Sequence, residues 1–151
     1  MGTSGVDASL VGRVFTATPP FEVDRSAIRA FAGVVGATAP VHHDPTAARA
    51  AGFADVVAPV TFAVVIAQGA ESEYVADPAS GIDFSRVVHA EESFTHVRPI
   101  VAGDVLRTAV HVDSVTERGG LALVTTRTEI TSGDDAVATV VSTLAVRGAE
   151  S

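Results

Sequence analysis

The chain has no cysteine, which excludes disulfides, thiolate metal sites and cysteine nucleophiles. It also has no lysine: the ten basic residues are all arginine, scattered singly in a chain whose formal net charge is −8. A nucleic-acid surface needs a basic stripe and an anionic membrane needs a polybasic patch. Neither is present, so neither partner is expected. Long hydrophobic runs are missing too. The longest, residues 56–67, is interrupted by Pro59 and Thr61 and is too short to span a bilayer. The first fifteen residues, MGTSGVDASLVGRVF, lack a charged segment followed by an apolar one, so no secretory leader is expected. No Gly-x-Ser-x-Gly elbow occurs, which argues against a serine hydrolase. The Gly119-Gly120 pair has no helix after it, which argues against a phosphate loop. These absences together predict a soluble, cytoplasmic protein.

What remains is a strongly apolar chain. Its 151 residues are 47% hydrophobic and 19% charged, enough for one substantial core. No repeat, low-complexity tract or Gly/Ser linker divides it, so residues 1–151 are read as a single domain. Its two halves differ in kind. Residues 12–23 mix strand formers with Pro19-Pro20, which predicts a short strand and an extended entry. Asp24 or Ser26 then caps a helix whose apolar positions Ile28, Phe31, Ala32 and Val35 recur at helical spacing, and Gly36 ends it. Asp44-Pro45 signals a second start, with the carboxylate as cap and proline at the first helical position. That short helix is expected to run to Gly52.

Pro59 opens a third helix, VTFAVVIAQGAESEY, apolar on nearly every side for its first two turns. A helix of that kind is surrounded by protein, so Val64, Val65 and Ile66 are expected among the most buried residues. Residues 76–81 read as a loop. Beyond them the chain alternates: Leu106, Thr108, Val110 and Val112 point one way, Arg107, His111 and Asp113 the other. Turns at 118–120 and 132–135 separate strands expected at 92–98, 105–117, 121–131 and 136–147. Four long antiparallel strands following one buried helix are best satisfied by an α+β hot-dog fold, an antiparallel sheet wrapped around a central helix.

Residues 31–62, FAGVVGATAPVHHDPTAARAAGFADVVAPVTF, resemble the MaoC-like family of (3R)-specific hydratases and dehydratases. That family's catalytic motif is Gly-Asp-x-Asn-Pro-(apolar)-His. On this chain the glycine corresponds to Gly36, the proline to Pro40, the apolar position to Val41 and the histidine to His42. The aspartate position holds Ala37 and the asparagine position Ala39. Dehydration of a 3-hydroxyacyl thioester removes an α-proton and protonates a departing hydroxyl, so two proton-transfer groups must face one substrate. Alanine offers none. Catalytic members also resemble the stretch 57–62 but carry His-Gly where this chain has Pro59-Val60. There the resemblance implies that a backbone N–H at the start of the helix, at Val60 with Thr61 beside it, binds the thioester oxygen. It also implies substrate contacts at Gly36 and Pro40.

The Ala-Pro-x-Thr-Phe pattern at residues 58–62 and SRVVHAEESFTHVRPIVAGDVL at 85–106 are similar to the N-type, FAS1-like dehydratase branch. The resemblance implies a subunit that binds an acyl-CoA or acyl-carrier-protein thioester and pairs with a catalytic hot-dog subunit. It implies no cofactor. A self-sufficient hydratase or dehydratase in which His42 works with an acid from another part of a dimer, Asp55, Asp44 or Glu91, is the main alternative. A non-enzymatic acyl-thioester-binding homodimer is another. A thioesterase needs a carboxylate on the central helix, where Glu71 arrives late. His89, Glu91 and Glu92 are read first as a strand-edge hydrogen-bonding set and otherwise as a contact for pantetheine or a partner. The spacing of the five histidines fits no helical metal pattern, so no metal is expected.

Overall fold

Six antiparallel strands form a sheet that curls across one face of a thirteen-residue helix. The computed structural model describes residues 5–148. Residues 1–4 and 149–151, and with them the outer limits of the expected domain and the start of the expected non-leader segment, lie outside the described residues. The entry segment contributes two short strands, β1 (Val14–Phe15) and β2 (Phe21–Glu22), both antiparallel to β4. The long strands are β3 (Val87–His96), β4 (Val105–Arg118), β5 (Leu121–Ser132) and β6 (Asp135–Arg147). Their order is β1-β4-β5-β6-β3, with β2 also on β4, which leaves β3 at one edge.

The hairpin turns are where glycine makes them possible. Gly119 and Gly120 have φ of 60° and 79°, and Gly133 has φ of 57°, left-handed values that side chains resist. Inward positions are buried in alternation along β5 and along β4 as far as Val112, where the register shifts, as the period of two requires. The expected strand at 92–98 is displaced. It starts at Val87 and ends at His96, because the N–H groups of Val97 and Arg98 both turn to the Val137 carbonyl. A register shift between His89 and Glu91 marks a bulge in this edge strand.

Helix α1 (Arg25–Val35) begins where the Asp24 carboxylate accepts from the Ala27 N–H at 2.6 Å, and it ends at Gly36 with φ of 71°. Ile28 and Ala32 are its buried positions. Val35, expected on the apolar face, is instead largely exposed beside the C-terminus. Helix α2 (Pro45–Ala50) is capped by Asp44, which accepts from the Thr46 N–H. It stops short of Gly52, whose φ of 95° places it in the following turn.

Helix α3 (Ala63–Val75) follows a 3₁₀ turn at Val60–Phe62 rather than starting at Pro59 itself. Ala63, Ile66, Ala67, Ala70 and Tyr74 face the sheet and are buried. Each large apolar side chain fully buried here contributes about 1.5–3 kcal/mol before opposing entropy. Two neighbouring expectations fail. Val65 is 40% exposed and Val64 only half-buried, while Ile66 is 2% exposed. The helix is apolar all round, yet the sheet covers one face, and Val65, Gln68, Gly69 and Ser72 form the other. Among the described residues, no helix is long and apolar enough to cross a membrane.

Candidate functional site

The loop between α1 and α2 is drawn against the approach to α3. Gly36 closes α1, and the Ala37 N–H bonds the Ala32 carbonyl. Pro40 opens a 3₁₀ turn, Pro40–His42, where a missing N–H costs nothing. Val57 N–H then donates to the Val41 carbonyl at 2.9 Å. His42 Nδ1 lies 2.6 Å from the Val57 carbonyl oxygen, and a carbonyl only accepts, so Nδ1 carries the proton. In the neutral ring Nε2 is therefore left as a bare acceptor, the form a base requires. His43 is committed elsewhere: its Nε2 donates to the Ala37 carbonyl at 2.8 Å. No local His43–Asp44 pair forms, because Asp44 is the α2 cap.

The start of α3 lies on the same connection. Ala58 N–H donates to the Ile100 carbonyl, and Pro59 leads into the 3₁₀ turn. The Val60 and Thr61 N–H groups stand in its first positions, where no intrahelical carbonyl serves them. The Val60 side chain is 62% exposed. His96 reaches this turn from the end of β3 and donates through Nε2 to the Val60 carbonyl at 3.0 Å. Its Nδ1 is buried without a partner. Sequence reasoning gave His96 no role here, since its place depends on how β3 lies across the opening of α3.

Two of the acids proposed to assist His42 are otherwise engaged. Asp55 receives Arg25 in a two-pronged contact at 2.9 and 2.8 Å and also accepts from the Val56 N–H. The Arg25 hydrogen bonds, with help from Val56 and Arg49, hold its carboxyl down at about 2. A group that acidic stays ionised and donates no proton near neutrality. Asp44 is tied to its cap, and Glu91 is exposed on the edge strand.

A second polar group lies on the inner face of the sheet and escaped the sequence reading as a unit. Glu71, 4% exposed, projects from α3 and accepts from Thr126 Oγ1 at 2.5 Å. His89 Nε2 stands 3.5 Å from Glu71 Oε1 and 3.9 Å from Glu92 Oε1. Ser142 Oγ donates to Glu92 Oε2 at 2.7 Å. Burial raises the Glu71 carboxyl above its ordinary value, while Thr126 and His89 oppose that shift. Strand register explains the assembly: Glu92 pairs with Ser142, and Ser142 with Thr126. The available signal was three polar residues at inward positions of otherwise apolar strands. Glu91 takes no part in this cluster.

The comparisons with known proteins agree with this architecture. The family described as "FAS1-like, dehydratase domain region" matches residues 9–140. A protein of Clavibacter michiganensis subsp. michiganensis named UPF0336 protein is 52% identical over 144 residues, covering 95% of this chain and 97% of the relative. One of the same name from Saccharopolyspora erythraea is 49% identical over 144 residues, covering 95% and 92%. Among solved structures, a chain of the C-terminally truncated HadBC (3R-hydroxyacyl-ACP dehydratase) complex from Mycobacterium tuberculosis is similar with a TM-score of 0.82. It is 28% identical, and the match covers 93% of this chain and 98% of that one.

Proposed function

This chain belongs to the FAS1-like dehydratase family, a hot-dog family of hydroxyacyl-thioester dehydratases and hydratases, and on that premise we propose that it is the acyl-binding, non-catalytic subunit of a (3R)-hydroxyacyl-thioester dehydratase. In this reading it binds an acyl-CoA or acyl-carrier-protein thioester, and a hot-dog partner supplies the complete acid–base pair. The observation that carries the reading is Ala37, at the position that corresponds to the motif aspartate. Asp55 is locked by Arg25 and Asp44 by its helix. A general acid or base is typically worth about 10²–10⁴-fold, so losing one member leaves little turnover.

His42 keeps a bare Nε2 and is the one candidate base in this loop. The Val60 and Thr61 N–H groups are assigned to the thioester oxygen, and Gly36 and Pro40 to further substrate contacts. The subunit arrangement draws support from the similar HadBC structure, which is a complex. The uncovered face of α3 and the unpaired outer edge of β3 give a partner two surfaces to use.

The test is reconstitution. The purified chain is mixed with a small hot-dog protein that carries an intact Gly-Asp-x-Asn-Pro-x-His motif, and enoyl-CoA hydration is followed. The chain alone is expected to be inactive and the mixture active. Robust turnover by the lone chain contradicts the proposal and favours a self-sufficient hydratase.

A further inference from the structure

A cavity of about 780 Å³ lies along the face of α3 that the sheet leaves uncovered, the face that a partner subunit would close over. Val65, Val75, Ile82 and Phe84 give it an apolar wall, into which Glu71 and His89 are set. Asp77, the other titratable residue of the lining, caps the turn at Pro78–Ser80 and faces Arg13. We propose that this cavity holds the distal part of a long acyl chain bearing a hydroxyl group, and that Glu71 and His89 hydrogen-bond that hydroxyl. The inference rests on the acyl-thioester reading and adds a substrate class to it.

Three observations support the assignment. The first is unmet hydrogen-bonding capacity. Thr126 occupies Glu71 Oε2, but Oε1 has only His89 at 3.5 Å, and His89 has Glu92 at 3.9 Å. Good hydrogen bonds are shorter, about 2.7–3.2 Å. Glu92 Oε1, just behind His89, is buried without a hydrogen-bond partner. Buried polar atoms normally have partners, and a plain alkyl chain supplies none.

The second is the type of group that fits. A hydroxyl both donates and accepts, so it serves a carboxyl oxygen and an imidazole nitrogen together. Burial also drives Glu71 toward its neutral form, which favours a neutral ligand group over an ammonium. The third is position. Glu71 lies eleven residues beyond Val60, about 17 Å along the helix at 1.5 Å per residue. A chain anchored by its thioester at Val60 brings only its far part to Glu71.

The experiment compares binding of hexadecanoyl-CoA and ω-hydroxyhexadecanoyl-CoA to the full chain by calorimetry. The hydroxylated ester is expected to bind about tenfold more tightly, the size of one well-placed hydrogen bond. Glu71→Leu and His89→Leu should each bring the two affinities together while hexadecanoyl-CoA still binds. Equal affinities in the parent chain overturn the inference and leave the acyl-thioester reading intact. So does a preference that survives both substitutions. Binding of neither ester overturns both. Should Glu71→Leu fail to fold, His89→Leu, at a partly exposed position on the edge strand, decides alone.

Discussion

His42 holds the Val57 carbonyl through Nδ1, and the resulting free Nε2 is only half of what a dehydration needs. On the proposed reading the other half is missing, because Ala37, at the position that corresponds to the motif aspartate, has a methyl that neither gives nor takes a proton. Repair of the site follows from that deficit. Ala37→Asp restores a carboxyl at the motif position, and Val60→Gly removes a branched side chain from the helix start. Both act on one transition state, so their effects should be strongly non-additive. Ala37→Asp alone is expected to gain little, whereas the double variant gains measurable enoyl-CoA hydration over a null background. A double variant that stays folded, binds acyl-CoA and shows no turnover contradicts the assignment of these positions. The motif frame of Gly36, Pro40 and His42 was legible in the sequence. The ionised state of Asp55 was not, because it depends on Arg25, thirty positions earlier, arriving from another helix.

Helix α3 shows how far pattern carries an argument at the scale of an element. Its apolar composition correctly marked a helix across the middle of the sheet, but composition cannot say how many faces the fold covers. Ile66 packs in the core while Val65 lines a cavity. Ile66→Ala should therefore cost about 2–5 kcal/mol in denaturant unfolding, and Val65→Ala well under that. Equal losses would mean that the exposed face is covered in solution. Glu71 gives the same helix a pH dependence. Its folded value is raised above the ordinary 4.5 by burial, so its folded form binds the proton more tightly than the unfolded chain does. Its contribution is most favourable below that ordinary value and is lost as pH rises through the raised one. Glu71→Gln, which keeps an acceptor for Thr126, should raise the melting temperature at neutral pH by a few degrees and have little effect in acid. A melting curve unchanged at every pH would place the carboxyl in a wetter setting. The strands were read more closely than the helix, since alternation reports the buried face directly. Only β3 was misplaced at its start, where a bulge breaks the alternation between His89 and Glu91.

For the whole molecule, a sheet curled over one face of α3 leaves the other helix face and a strand edge uncovered. Both are surfaces that another hot-dog subunit can complete. The fold was legible because each half of the sequence had one dominant period. The inner polar cluster was not, because Glu92, Ser142 and Thr126 meet only through strand register, and Glu71 only by the packing of α3 on the sheet. The central claim is that this chain binds the acyl thioester while a partner performs proton transfer. Titrating a motif-intact hot-dog partner into a fixed amount of the chain, with enoyl-CoA hydration as readout, tests it most directly. The account predicts no turnover without partner and a rise that saturates at one partner per chain. Turnover by the chain alone, or partner activity indifferent to the chain, would contradict it.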